Sequence, residues 1–234
     1  MITERQGEIL NRIVQEYIEL AQPISSQLLE KKYDFGICSA SIRIEMQKLT
    51  DKGFLYQPHT SAGRVPTDKG YRFFVDNLLA QEISEFNDIF ELEDLLKKER
   101  DIFKLANKLT KFLAEVSSNL VILHLLERDL FWKEGWEEIL KEPEFKEKDF
   151  LSSFIRFLNS FEEDIEELKI NSGIKIYIGR ENPFSKAKDF SIISSKCYLP
   201  DEEEAILSLL GPKRMAYDRN ISLMNTLIKV MEKF

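Results

Sequence analysis

The chain of 234 residues has only two histidines and two cysteines, and that scarcity closes several routes. Cys38, His59, His124 and Cys197 never come within the short spacings that zinc ligands use, so no metal is expected. The cysteines lie in different halves and outline no disulfide framework, which predicts reduced thiols in a reducing compartment. No G-x-S-x-G elbow accompanies the histidines. Glycine-rich phosphate loops are missing too, because Gly173 to Gly179 brackets a strand pattern. Neither catalysis nor a cofactor is expected. No apolar run approaches the roughly 20 residues of a membrane helix, and Met1 to Glu4 lead into helical pattern without a signal-type segment. The expected address is the cytoplasm, with no membrane partner.

Positive charge is also short, with 33 Lys and Arg against 41 Asp and Glu and a formal net charge of -8. A nucleic-acid binder looks excluded until the charge is divided along the chain. Residues 1–80 hold ten basic and ten acidic side chains, so the whole excess of acid lies C-terminal to them. Within 35–75 six basic residues face three acidic ones. Such a modest surplus implies affinity built on few phosphate contacts per subunit.

What the chain does hold is pattern. Thr3 and Gln6 have capping-box spacing, and Ile9, Leu10, Ile13, Val14, Tyr17 and Ile18 form the apolar stripe of a first helix that Pro23 ends. Ser25 or Ser26 caps a second helix with Leu28 and Leu29 inward, and Asp34-Phe35-Gly36 supplies a turn. A third helix, capped by Ser39 and closed by Gly53, runs to about Asp51. Its Ile42, Met46 and Leu49 must face the core, which turns Ala40, Ile44, Gln47 and Asp51 outward with Arg43 and Lys48 on the flanks. A short strand at Phe54 to Tyr56 then enters the loop His59 to Gly63, Arg64-Val65-Pro66 returns, and Thr67 opens another helix. Two helices joined by a turn, followed by a projecting hairpin, can put a helix into the major groove.

Beyond residue 80 helical pattern continues to Asn119, its polar side acidic from Glu82 to Asp94. Leu120 to Leu123 reads as a buried strand, and Glu127 to Ile170 as mostly helical with an interruption near Pro143. The period then changes to two. Ile174 to Ile178, Ile192-Ile193 and Ala205 to Leu210 are strand candidates, and a final helix starts near Tyr217.

The site candidates are DNA-binding residues. Arg43 suits direct base or phosphate contact, since a guanidinium can bind guanine bidentately; a surface pairing with Gln47 or Glu45 is the plain alternative. Ser39 and Ser41 sit where a helix N-terminus attracts phosphate, although Ser39 serves equally as a cap. Ala40, Ile44, Gln47 and Lys48 complete the helix face. His59 can bond a phosphate or the wing's own backbone. Thr60, Ser61 and Arg64 share that loop, with Arg64 favoured for its charge. Gly63 is structural, in a turn that needs a residue free of Cβ strain. Tyr71, Phe73 and Phe74 read as core, and Trp132 and Trp136 as buried in their own domain.

The segments ITERQGEIL, QPISSQLL, SASIRIEM with LTDKGFLYQ, and QPHTSAGRVPTDKGYRF resemble HrcA-type heat-inducible transcription repressors in order and spacing. The resemblance resumes in EGWEEILKEPEF, IGRENP and LGPKRMAYDRNISLMNTL, and so covers nearly all of 1–80 and the blocks 135–146 and 173–230. It implies a dimeric repressor of chaperone operons with a winged helix, a GAF-like second domain and a small inserted dimerisation domain. Such repressors bind an inverted-repeat operator on double-stranded DNA, and the chaperonin GroEL keeps them competent. This chain is a shortened member, its missing piece falling between Leu126 and Trp136. It also has Ile44 where the family has an asparagine, which exchanges a paired hydrogen bond to adenine for apolar contact with a thymine methyl.

The expectation is therefore an α+β, mostly helical chain. Residues 1–80 form a winged helix-turn-helix, and residues 81–234 a reduced GAF-like regulatory and dimerisation domain. A winged-helix regulator of a different regulon, sensing a small ligand or a protein partner through its second domain, is the alternative.

Overall fold

The computed structural model describes residues 2–81, 86, 89–170, 173–200 and 203–232. Two compact units divide the chain, Met1–Gln81 and Glu82–Phe234. Among the described residues no helix is long and apolar enough to cross a membrane.

The first unit opens with α1 (Glu4–Leu20), whose capping box is complete. The Thr3 hydroxyl accepts from the Gln6 amide, and the Gln6 side chain accepts from the Thr3 amide, both at 3.3 Å. The helix ends at Ala21 in left-handed conformation, two residues before Pro23. Ser25 caps α2 (Ser26–Lys32) by accepting from the Leu28 amide. Leu29 is fully buried, whereas Leu28, expected inward, is only half-buried. Helix α3 (Ser39–Asp51) buries Ile42, Met46 and Leu49 against α1 and α2. Strands β1 (Leu55–Tyr56) and β2 (Val65–Pro66) pair antiparallel, with Leu55 opposite Pro66. Thr67 caps α4 (Asp68–Leu79), which buries Tyr71 and Phe74 and sets Phe73 edge-on to Phe54. Phe54 precedes the strand in which it was expected.

One charged group is built into this unit. The Glu16 side chain is only 2% exposed, and it pairs with Lys32 at 2.6 Å and accepts from the Tyr33 hydroxyl. Burial pushes its carboxyl up, but the bonds from Lys32 and Tyr33 outweigh that and hold it below the ordinary value of 4.5. The group thereby ties the C-terminal end of α2 to α1.

The second unit begins with α5 (Ile89–Lys98) and α6 (Ile102–Ser117), separated by a break at 99–101 where one continuous helical pattern was expected. The Phe90 side chain and most of the acidic run before it lie outside the described residues. Next come β3 (Leu120–Leu125), β4 (Leu130–Glu134), α7 (Trp136–Ile139), α8 (Lys148–Glu163), β5 (Ile174–Ile178), β6 (Phe190–Leu199), β7 (Glu203–Pro212) and α9 (Tyr217–Met231). The five strands form one antiparallel sheet in the order β4-β3-β7-β6-β5. With helices on both faces, this is the α+β, GAF-like layout.

Strand β4 corrects the reading of 127–170 as mostly helical. Its five residues, Leu-Phe-Trp-Lys-Glu, show no clean alternation because β4 is an edge strand with a weakly buried pattern. What makes the strand is its neighbour: Asp129 takes a left-handed turn (φ 51°), and the chain folds back along β3. The segment 126–136, where the resemblance puts the missing piece, is thus occupied by a tight hairpin.

Residues alternate across the sheet as strand geometry requires. Leu120, Ile122, Ile192, Ile206 and Leu210 join a cluster dominated by Phe154, Phe157, Phe161 and Phe190. Phe154 and Phe190 meet edge to face at 5.1 Å, a favoured geometry for aromatic pairs. Arg214, only 8% exposed, binds both Glu142 and Glu144, its Nε lying 2.6 Å from Glu144. Burial disfavours its charge, but the two carboxylates more than restore it. Trp132 and Trp136 are each half-buried, against Phe103 and Phe154 respectively.

A group with a depressed carboxyl pKa stabilises the folded state above its unfolded value and ceases to do so as pH falls through the folded one. Glu16→Gln is therefore expected to cost about 1–2 kcal/mol at neutral pH, a figure held down by the half-exposed Lys32. It should also abolish the part of the acid destabilisation that sets in below about pH 4.5. Amide hydrogen exchange in α1 and α2 across pH reads this directly; identical acid profiles for variant and parent would remove Glu16 from the account.

Candidate nucleic-acid interface

Helix α3 starts differently from expectation. Ser39 is its first helical residue and not its cap; the chain enters extended at Cys38, which makes no side-chain cap. The Ser39 amide is satisfied instead from α2, by the Glu30 carboxylate at 2.9 Å. The reason lies in the tight connection between the helices, which brings Glu30 against the free N–H groups that α3 presents. The exposed Cys38 thiol lies 3.6 Å from the Ser41 hydroxyl, and the Ser41 backbone amide and hydroxyl hold it below its ordinary pKa.

On the outer face Ala40, Arg43, Ile44, Gln47 and Lys48 are all exposed. Arg43 makes no hydrogen bond or ion pair among the described residues, neither with Glu45 nor with Gln47. Ile44 is 57% exposed, an apolar side chain held in water by the helix geometry that buries Ile42 and Met46. Lys48 pairs with Glu45 at 2.7 Å, and that bond, joined by one from Gln6, keeps the Glu45 carboxyl low.

The hairpin loop is ordered by a residue that sequence reasoning passed over. Gln57 donates to the carbonyls of Thr60 and Ala62, both at 2.9 Å, closing the loop on itself. Its only signal in the sequence was a polar residue directly after the strand. His59 Nδ1 lies 3.2 Å from the Ser61 hydroxyl, a side-chain partner within the loop and not the loop backbone that was expected as one of its two options.

Arg64 is the residue whose placement differs most from expectation. It is 8% exposed and turned inward: Nε donates to the Thr50 hydroxyl at 3.0 Å, and a terminal nitrogen donates to Gln47 Oε1 at 2.8 Å. Its backbone pairs with Ile24, N to O at 2.8 Å and O to N at 2.9 Å. A guanidinium with five donors finds acceptors under α3, and the wing is thereby fastened to the helix. Gln47 in turn donates to Asp51 at 2.8 Å.

Gly63 is structural, but not for the reason expected. Its φ is not positive; a Cβ there would stand 2.3 Å from the Ile24 carbonyl oxygen. Close approach of two backbones is what requires glycine.

These placements leave an open cleft of about 590 Å³ between the outer face of α3 and the wing. Arg43, Ile44 and Gln47 wall it on one side, and Thr60, Ser61 and Arg64 on the other. Ser39, Ala40, Ser41, Lys48 and His59 stand outside it.

A family model described as the HrcA protein C terminal domain matches residues 68–221. The chain belongs to the HrcA family. Two proteins named heat-inducible transcription repressor HrcA are similar to it over its whole length. That of Thermodesulfovibrio yellowstonii is 28% identical, with 100% of this chain and 98% of the other covered; that of Brevibacillus brevis is 27% identical with the same coverage. The first alignment runs over 343 positions, more than the 234 residues of this chain, so this HrcA member is a shortened one. A solved structure titled as that of a hypothetical protein superposes with a TM-score of 0.78 at 23% identity, covering 100% of this chain and 99% of the other. That likeness bears on the fold alone.

Gly63→Ala should push the wing off Ile24, at a cost of about 1–3 kcal/mol. The amides of Ile24 and Arg64, now bonded to each other's carbonyls, should then exchange faster with solvent by roughly one to two orders of magnitude. Unchanged protection at both amides would show that the close approach is not what orders the wing.

Proposed function

We propose that this HrcA member is a sequence-specific transcription repressor that binds double-stranded DNA as a homodimer, one winged helix per half of an inverted repeat. The observation that carries it is the unengaged Arg43 beside the exposed Ile44, on a helix face that shares a cleft with an ordered wing. Among the described residues Arg43 has no hydrogen bond or ion pair, and Ile44 leaves most of its apolar surface in solvent. In a major groove the guanidinium finds guanine O6 and N7 or a phosphate, and the isoleucine finds the methyl of thymine. Gln47, held by Arg64 and Asp51, presents an oriented amide at the same edge.

Within this reading Ser39, Ser41, Lys48, Thr60, Ser61 and His59 contribute backbone contacts that fix register. Arg64 acts as a positioning residue that sets the wing's angle to α3. Reading both halves of an inverted repeat needs two copies, with half-sites one helical turn or a few turns of about 34 Å apart. The targets proposed are heat-inducible operons, in line with the names of the relatives, and chaperone operons are the ones this reading puts first. Regulation by the chaperonin GroEL belongs to the same proposal.

Arg43→Ala should lower specific operator retention in a mobility shift by roughly 5- to 150-fold, the range of one bidentate base contact, with an unchanged circular dichroism spectrum. Equal retention would take Arg43 out of the interface. Selection from random duplexes should return a thymine under Ile44, and Ile44→Asn should shift that position to adenine; a selected site unaltered by the substitution would sink the contact.

A further inference from the structure

Strand β4 stands at one end of the sheet. Its inner side pairs with β3, Val121 opposite Glu134 and Leu125 opposite Leu130. Among the described residues no strand lies on its outer side and no loop backbone bonds there. The row of N–H and C=O groups on such an edge is a template for another strand. Apolar surface adjoins it. Leu130 is 40% exposed, and Phe103 on α6 is 45% exposed. Trp132, two residues along from Leu130 and so on the same face of the sheet, has its ring 5.6 Å from that of Phe103.

The segment along this edge, Arg128-Asp129-Leu130-Phe131-Trp132-Lys133-Glu134, complements itself when run in the opposite direction. A two-fold axis at Phe131 sets that residue opposite Phe131 of a second copy, Leu130 opposite Trp132, Asp129 opposite Lys133 and Arg128 opposite Glu134. Acid then meets base at each end, and apolar meets apolar between them. Moving the axis to Trp132 sets Leu130 against Glu134, and moving it to Leu130 sets Phe131 against Asp129 and Trp132 against Arg128. An axis between two residues would oppose side chains of different faces, because successive side chains alternate. The edge strand at the other end, β5, has no such match, since its one charge is Lys175 and it holds no acid. Arg128, Asp129 and Lys133 bond within the chain to Glu203, His124 and Glu162, yet all three remain exposed, and groups of these kinds can serve more than one partner.

We propose that two copies of this chain join along β4, antiparallel and centred on Phe131, so that one sheet continues across the dimer. The outer backbone groups of the two edges satisfy each other. Phe131 pairs with its counterpart, and Phe103, Leu130 and Trp132 are withdrawn from water, in the manner of cross-strand pairs that stabilise a sheet. The contact is isologous and closes on itself, because each copy uses its β4 edge once. The inference rests on the homodimer of the proposed function and names the surface on which that dimer forms.

Sedimentation velocity of the full chain over a dilution series tests the interface. The unsubstituted chain should pass reversibly between dimer and monomer, and its β4 amides should exchange more slowly with solvent at the concentrated end of the series. Lys133→Glu opposes two carboxylates at each end of the pairing, and Asp129→Lys opposes two ammonium groups. Each variant alone should raise the dimer dissociation constant by roughly tenfold or more, with an unchanged circular dichroism spectrum. An equimolar mixture of the two variants should recover the dimer, because every cross-strand pair in the mixed species joins unlike charges. Asp129 and Lys133 of one chain lie at opposite ends of an extended segment, so that recovery cannot arise within a chain. Unchanged constants in the single variants, a mixture that stays monomeric, or β4 exchange indifferent to concentration would each overturn the proposal. A dimer that persists in all variants leaves the homodimeric DNA reading standing on another contact. A parent chain that is monomeric throughout overturns the interface too, while the Arg43→Ala mobility shift judges DNA binding separately.

Discussion

The first unit depends on how one buried guanidinium is satisfied. Arg64 reaches from the wing to Gln47 and Thr50 on α3 while its backbone is clasped by Ile24. A two-residue hairpin such as β1–β2 is too short to hold an orientation by its own ladder. The side chain supplies the missing constraint, with charge-assisted bonds stronger than those between neutral groups. Gly63 allows the backbone to come close enough, and Gln57 closes the loop beyond it. Helix face and wing are consequently one surface, with the residues of one placed against those of the other.

The second unit shows a comparable constraint in a different form. Gly135 and Gly211 both lie against Asn119, where a Cβ would come within 2.3 Å of its carbonyl oxygen and 2.1 Å of its side-chain oxygen respectively. Asn119 is 2% exposed. The start of β3, the end of β4 and the end of β7 thus converge on one residue, and Arg214 reaches from just beyond β7 to the carboxylates before α8. Backbone approach and a buried ion pair, alongside the phenylalanine cluster, connect the segments that flank the shortened middle.

Much of this was legible in the chain. The capping box at Thr3, the stripe of Ile42, Met46 and Leu49, the strands near Ile174 and Ala205, and the last helix follow from local periodicity and cap chemistry, which short windows contain. What stayed hidden is decided by partners distant in sequence. Strand β4 exists because β3 lies beside it. Ser39 loses its capping role because Glu30 arrives from the preceding helix. Arg64 looked like an outward charge because nothing near it in sequence reveals that Gln47 and Thr50 will stand in reach. The need for glycine at position 63 was legible, but its cause, a carbonyl from residue 24, was not.

The Glu30 carboxylate on the Ser39 amide has a further consequence. The start of a helix is ordinarily an attractive seat for a phosphate, through partial positive charge that any duplex offers equally well to exploit. Here an internal anion already holds that seat. In the proposed DNA complex a phosphate arriving end-on at this amide meets an anion already in place, so any backbone contact by Ser39 falls to its hydroxyl, and discrimination between base pairs rests on groups on the flank of α3.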